Sequence, residues 1–380
     1  MKVLNVCHCL NDGEIGGGIQ RQVQSLVAYQ QESRPVGVLL SSKAGAFSRG
    51  INALGNVPWI ALGLQSGKDL SPRAIRRAVR FLKPFHVVHV HSFNYVVVTA
   101  AILGGKPMIF TFHGLTHLRR ALTFVDRIKF WTLSFSCNRI FRATTTVSAF
   151  MRERVLEHLS IAKPISVVPN ITPALPQLAD RSLLRQQLGV GAEDVLVLNY
   201  GRLVHNKRTE VVLQAAANMQ TVPGRKVLFL VIGDGPERHY LEQLARDLGI
   251  GPIMSFLPLQ ENVFDYIDAS DICVFPTAGE PFGIVALETL SLGKPTLVMT
   301  DGGGIVDVVS PIGNAAFVMR GAQEVCDWIA EAAHNVDLLS KYSEECCRRA
   351  SDFEQEAVSA EYERIYRAAW ERHTHGARRV

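Results

Sequence analysis

Ile272-Cys273-Val274-Phe275-Pro276-Thr277-Ala278-Gly279-Glu280-Pro281-Phe282-Gly283-Ile284-Val285-Ala286-Leu287-Glu288 is the stretch from which the fold is read. Its first four residues are apolar and suit a strand buried on both faces. A turn rich in Pro and Gly follows. Pro281 then suits the first turn of a helix, where a missing N–H is harmless, and the helix is expected over 283–292. In open α/β sheets ligands bind beyond the carboxyl ends of the strands. A helix start there offers unpaired amides and a partial positive charge to an anion. Glu280 falls at that mouth, and Glu288 lies about two helical turns further on. Two carboxylates so spaced suit the hydroxyls of one extended polyol. Taken singly, Glu280 also suits a helix-dipole partner and Glu288 a solvated helix position.

The same strand–helix alternation runs outward to both ends. Strands are expected at 3–9, 35–40, 86–91, 108–112, 143–147 and 165–168, then at 195–198, 226–232, 253–256, 272–275 and 296–299. Helices are expected at 19–30, 71–82, 209–219, 237–248 and 283–292, with more from Gln323 onward. Repeated βαβ units predict a doubly wound α/β fold in each half. The break falls at 169–176, where Pro169, Pro173 and Pro176 interrupt the periodicity. A chain of 380 residues is too long for a single core.

Composition narrows the classes. The chain is 47% hydrophobic and 20% charged, which excludes a disordered or fibrous protein. Its longest apolar run, Tyr95–Leu103, is too short to span a bilayer. The first residues read as a strand, without a leader's apolar core. Seven scattered cysteines lack zinc-site spacing and suit a reducing cytoplasm. The net charge of +5 conceals a division. Residues 1–170 hold 21 Lys and Arg against 7 Asp and Glu, a net +14; the remainder holds 19 against 28, a net −9. The basic half suits nucleic acid, an anionic membrane, a phosphate-bearing substrate, or plain solvation. No nucleic-acid recognition motif accompanies it. Asp12, Glu14, His89 and His91 have no metal-site spacing.

Glu280 and Glu288 with Phe282-Gly283 between them resemble the E-x7-E signature of retaining glycosyltransferases of family 4, which have the GT-B fold. Other pieces follow in that family's order. Gly201-Arg202 with Lys207 resembles its G-R-x4-K phosphate clamp, and Gly233-Asp234-Gly235-Pro236 its G-D-G-P turn. Gly303-Gly304-Ile305-Val306-Asp307 resembles its G-G-x-x-E element. Gly16-Gly17-Gly18 resembles its first glycine loop, Thr111-Phe112-His113-Gly114 its T-x-H-G, and Val168-Pro169-Asn170 its interdomain V-P-N. The resemblance runs from about residue 3 to 370.

The resemblance implies two Rossmann-like parallel-sheet domains facing a central cleft. Residues 1–172, completed by a C-terminal helix over about 355–380, would bind the acceptor; residues 173–354 would bind the nucleotide sugar. It implies transfer of a sugar from a UDP- or GDP-sugar to a hydroxyl of a glycan or lipid-linked acceptor, in cell-envelope polysaccharide or lipopolysaccharide synthesis. His113, Arg202, Lys207 and Glu280 would be catalytic. Gly16, Gly17, Gly18, Gly233, Pro281, Phe282, Gly283, Ile284 and Glu288 would bind the donor, with Glu288 on the ribose hydroxyls and Glu280 on the sugar. No D-x-D motif is present, so Arg202, Lys207 and the helix are expected to meet the diphosphate charge without a metal, and no cofactor is expected.

Three departures stand out: Arg208 where the family usually has Gly, no Asp shortly after Asn170, and Asp307 where Glu is usual. Two basic clusters mixed with apolar residues, 73–83 and 118–142, suit a peripheral contact with an anionic membrane on the cytoplasmic side. A non-catalytic sugar-nucleotide-binding scaffold and a nucleotide-sugar epimerase of the same fold are the competing readings.

Overall fold

A computed structural model describes residues 3–11, 18–65, 70–115, 123–220 and 222–377. The chain divides into two compact units, Met1–Ile171 with Phe353–Val380, and Thr172–Asp352. The chain therefore leaves the first unit after Ile171 and re-enters it at Phe353.

The first unit is built on seven parallel strands, β1 (Val6–Leu10), β2 (Val36–Leu40), β3 (Trp59–Ala61), β4 (Val87–Val90), β5 (Met108–Phe112), β6 (Ala143–Thr146) and β7 (Ile165–Val167), in the order β3-β2-β1-β4-β5-β6-β7. β1, β2, β4 and β5 are buried throughout, as strands covered on both faces must be. The last helix, Gln355–Ala377, covers one face. Its Val358, Tyr362, Tyr366 and Ala369 pack with Leu4, Val6, Val87 and Ile109 in one apolar cluster. Tyr366 is wholly buried.

The second unit carries six parallel strands, β8 (Val195–Tyr200), β9 (Val227–Ile232), β10 (Met254–Leu257), β11 (Ile272–Phe275), β12 (Thr296–Met299) and β13 (Val318–Met319), ordered β10-β9-β8-β11-β12-β13. Each sheet reverses direction of winding once, between β1 and β4 and between β8 and β11. Those are the switch points where crevices open at the carboxyl ends of the strands.

Three expectations need correction. β3 and β13 were not anticipated; they are edge strands of three and two residues, too short for a pattern. The helix after β11 spans only Ile284–Leu290. Pro281 accordingly lies in the loop before it, because Gly283 holds the N-cap at φ +93°, a left-handed turn that Pro281 cannot itself make and that ends the loop two residues later.

Candidate active site

The second unit's switch point gathers most of the residues singled out from sequence. β8 ends at Tyr200. The next loop carries exposed Arg202 and then a 3₁₀ turn, His205–Lys207. β11 ends at Phe275, and its loop carries Glu280. The two loops meet: Ala278 N donates to Asn206 O at 3.0 Å, and Lys207 Nζ donates to Glu280 Oε2 at 2.6 Å. Thr277 Oγ1 lies 3.3 Å from the same carboxylate oxygen. Lys207 and Glu280 are 25% and 23% exposed, so this ion pair is partly withdrawn from water. Arg202 makes no side-chain hydrogen bond or ion pair among the described residues and is exposed on the same loop as Lys207.

The Glu280 loop is fixed from its far side as well. Gly279 N donates to Asp301 O, Glu280 N to Gly302 O, and Gly304 N to Glu280 O, at 2.9, 2.7 and 2.7 Å. A short parallel bridge thus ties the loop to the turn after β12. Arg208 adds to this. Its guanidinium donates to Pro276 O, to Thr277 O and to both Asp301 carboxylate oxygens. The departure from the usual Gly therefore has a visible effect. Arg208 keeps the left-handed backbone (φ +48°) and links three loop segments.

Glu288 lies on the helix Ile284–Leu290 and is 1% exposed, not solvated. Tyr200 Oη donates to its Oε2 at 2.6 Å. Sequence reasoning missed Tyr200, which lies beyond the strand expected over 195–198 and belongs to no motif. Phe282 is buried beside this helix, and Ile284 opens it. Gly233, at the end of β9, packs against the Arg202 loop so closely that a Cβ would sit 1.9 Å from Gly201 O. The turn it begins braces that loop: Leu203 N donates to Asp234 O, and Glu237 N to Leu203 O. Asp307 is exposed on the helix Gly304–Val309.

His113 belongs to the first unit, one residue beyond β5. Gly16 and Gly17 lie outside the described residues, as do Asp12, Glu14, Arg119 and Arg120; Gly18 begins the helix Gly18–Gln30. His113 Nε2 pairs with His91 Nδ1 at 2.9 Å, and His91 Nε2 with His8 Nδ1 at 2.9 Å. His8 Nε2 pairs with Gln30 Oε1 at 3.0 Å. His89 is held between Tyr366 Oη and Thr111 Oγ1 at 2.8 and 2.7 Å. Burial lowers the pKa of His8 and of His113 to about 4, and pushes His89 and His91 well below the ordinary range. All four rings are therefore neutral near pH 7. His91, His113, Gln22, Asn170 and Tyr362 line a cavity of about 10 Å³, room for one water. The ligand atoms of His8, His89 and His91 lie within 4.8 Å of one another, the spacing of a metal site. Each of their ring nitrogens already has a hydrogen-bond partner.

Residues 16–172 match the family model described as Glycosyltransferase Family 4, and residues 180–346 match Glycosyl transferases group 1. The chain is 29% identical over 224 residues to a D-inositol 3-phosphate glycosyltransferase of Corynebacterium kroppenstedtii, covering 53% of this chain and 49% of that one. It is 32% identical over 154 residues to the lipopolysaccharide core biosynthesis glycosyltransferase LpsD of Rhizobium meliloti, covering 40% and 41%. The matches thus span about half the length of these relatives or less. The crystal structure of Anabaena HepE in complex with UDP and glucose superposes with a TM-score of 0.79 at 19% identity, over 96% of this chain and 99% of that one, which bears on the fold alone. With both halves matched and the two parallel-sheet units in place, the chain belongs to the family 4-like glycosyltransferases of GT-B fold.

Proposed function

We propose that the protein moves a hexosyl group from a UDP- or GDP-sugar to a hydroxyl of a glycan or lipid-linked acceptor, with retention of anomeric configuration. The observation that carries this reading is the junction of Lys207 and Glu280 beside the buried Tyr200–Glu288 pair, at the carboxyl ends of β8 and β11. Charge grows on the diphosphate as the bond to the sugar breaks, and fixed cationic donors stabilise it. Lys207 has three N–H donors, so it can keep Glu280 and still reach a phosphate oxygen. Arg202, exposed on the same loop, offers a planar fork. Glu288, oriented by Tyr200, accepts from ribose hydroxyls, while Glu280 accepts from the donor sugar. His113, in the first unit, is the residue that the family resemblance assigns to the donor sugar. Front-face attack fits retention: the acceptor oxygen bonds to the anomeric carbon, the carbon–phosphate-oxygen bond breaks, and the acceptor proton goes to the departing phosphate.

One relative's name, a lipopolysaccharide core biosynthesis glycosyltransferase, favours a cell-envelope acceptor. The first unit also supports a peripheral contact with an anionic membrane. On the helix Phe124–Phe135, Ile128, Trp131 and Phe135 are exposed, the last two stacked, with Arg127, Arg139 and Arg142 exposed nearby. No helix among the described residues is long and apolar enough to cross a membrane. We place the protein in the cytoplasm, on or near the inner face of the membrane. Salt-sensitive co-sedimentation with anionic liposomes is expected, and its absence removes the membrane part.

The catalytic reading is tested by a thermal-shift screen against nucleotide sugars. At least one UDP- or GDP-sugar should raise the melting temperature, by about 2.7 kcal/mol of stabilisation at a hundredfold excess over its Kd. No metal is required in this scheme, so a chelator should leave both the shift and the turnover intact. A panel without a single stabilising ligand overturns the reading.

A further inference from the structure

Four histidines of the first unit, His8, His89, His91 and His113, are packed and hydrogen-bonded more completely than packing alone requires. His8 stands in the middle of β1 and His89 at the matching position of β4, which β1 pairs with at the switch point. His91 and His113 each follow the end of a strand, β4 and β5. Gln30 is the last residue of the helix Gly18–Gln30 and is 2% exposed. Its amide oxygen Oε1 meets His8 Nε2. Thr111 and Thr145 close the other end, 2.6 Å apart.

Hydrogen-bond direction follows along this chain. A carbonyl oxygen only accepts, so His8 must carry its proton on Nε2. His8 Nδ1 is then an acceptor, and His91 must donate from Nε2. His91 Nδ1 in turn accepts, and His113 must donate from Nε2. Beside this chain the phenol of Tyr366, the stronger acid, donates to His89 Nδ1, since imidazole is the stronger base, and His89 Nε2–H donates to Thr111.

We propose that Gln30, acting through His8 and His91, is a positioning residue that fixes the tautomer of His113, leaving Nδ1 of His113 as a hydrogen-bond acceptor. Its consequence for transfer rests on the reading of His113 as a donor-sugar contact. An acceptor nitrogen takes the hydrogen of a sugar hydroxyl, whereas the opposite tautomer presents an N–H and repels it. A neutral imidazole is needed for this, and the buried surroundings keep the ring uncharged.

The test is two-bond ¹H–¹⁵N correlation on the full chain labelled with ¹⁵N-histidine, at pH 7. In the wild-type protein His8, His89, His91 and His113 should all be protonated on Nε2 alone. Gln30→Met removes the amide, and His113 should become a mixture of the two tautomers. Gln30→Glu keeps an acceptor and should retain the wild-type signature. Turnover in Gln30→Met should fall about two- to tenfold with the competent fraction, with the Kd for the bare nucleoside diphosphate unchanged. Nδ1 protonation of His113 in the wild type overturns the proposal without any variant, as does a metal ion bound to the ring nitrogens. An unaltered His113 signature in folded Gln30→Met also overturns it. The spectra do not depend on transfer. If they come out as expected while His113→Ala transfers normally, the role of His113 in the reaction fails and the relay stands.

Discussion

Lys207→Ala removes one end of an ion pair whose partner is only partly open to solvent. Lys207 Nζ and Glu280 Oε2 lie 2.6 Å apart, and both side chains are about three-quarters buried. At an effective dielectric of about 20 the gross attraction is about 6 kcal/mol. Desolvation cancels most of it. An exposed pair nets about 0–1 kcal/mol, while breaking a fully buried one costs about 3–5 kcal/mol. This pair sits between, so Lys207→Ala should destabilise the folded protein by about 1–3 kcal/mol. Turnover should fall much further, by at least about 100-fold, the scale of losing one donor to a developing oxyanion. Initial rates at 25 °C and thermal melts separate the two effects, since a chain still folded at the assay temperature loses no rate through stability. The double variant Lys207→Ala/Glu280→Ala sharpens this. Removing the uncompensated carboxylate should recover most of the melting temperature and none of the turnover. A single variant with near-wild-type turnover, or a double variant that regains it, refutes the clamp role and leaves the pair a structural one.

Tyr200→Phe deletes the 2.6 Å hydrogen bond that orients the buried Glu288. Calorimetry should show weaker binding of the nucleoside diphosphate, by about tenfold for a charge-assisted bond of about 1.5 kcal/mol, and an unchanged Kd counts against the ribose role. Arg208→Gly relieves a left-handed backbone worth about 1–2 kcal/mol, but it loses the contacts to Pro276, Thr277 and Asp301. The expected net result is a lower melting temperature; a higher one would mean that the links are too exposed to matter. Finally, His8 and His113 have folded pKa values near 4 against an ordinary 6.5. Between these limits the unfolded chain binds more protons, so the stability they confer is full above about pH 6.5 and is lost as pH falls toward 4. The melting temperature should begin to drop below pH 6.5, ahead of carboxylate titration, and a flat profile from pH 7 to 5 contradicts neutral burial of these rings.

The fold was legible because parallel strands buried on both faces are uninterrupted apolar runs. Met108–Phe112, Ile272–Phe275 and Thr296–Met299 stand where the sequence puts them. The residues of the second unit's site were legible for a related reason: they cluster in short loops that follow such strands. Tyr200 was not, because a strand-end tyrosine carries no mark distinguishing a core ring from one whose hydroxyl holds a carboxylate. The burial of Glu288 is not legible in the sequence either, since it depends on the packing of a seven-residue helix. The histidine network was invisible for a topological reason. His8 and His89 are 81 positions apart in sequence, and only the strand order that sets β1 beside β4 makes them neighbours. The Arg208 links likewise depend on three loops meeting, which no local pattern encodes.

The central claim is that the second unit holds a nucleoside diphosphate through Lys207, Arg202 and Glu288. Calorimetric titration of the wild-type protein and of Lys207→Ala and Glu288→Ala with UDP and GDP tests it most directly. The account predicts saturable binding of at least one of the two to the wild type, weakened at least tenfold in each variant. Absence of binding to the folded wild-type protein, or equal affinity in all three, contradicts it.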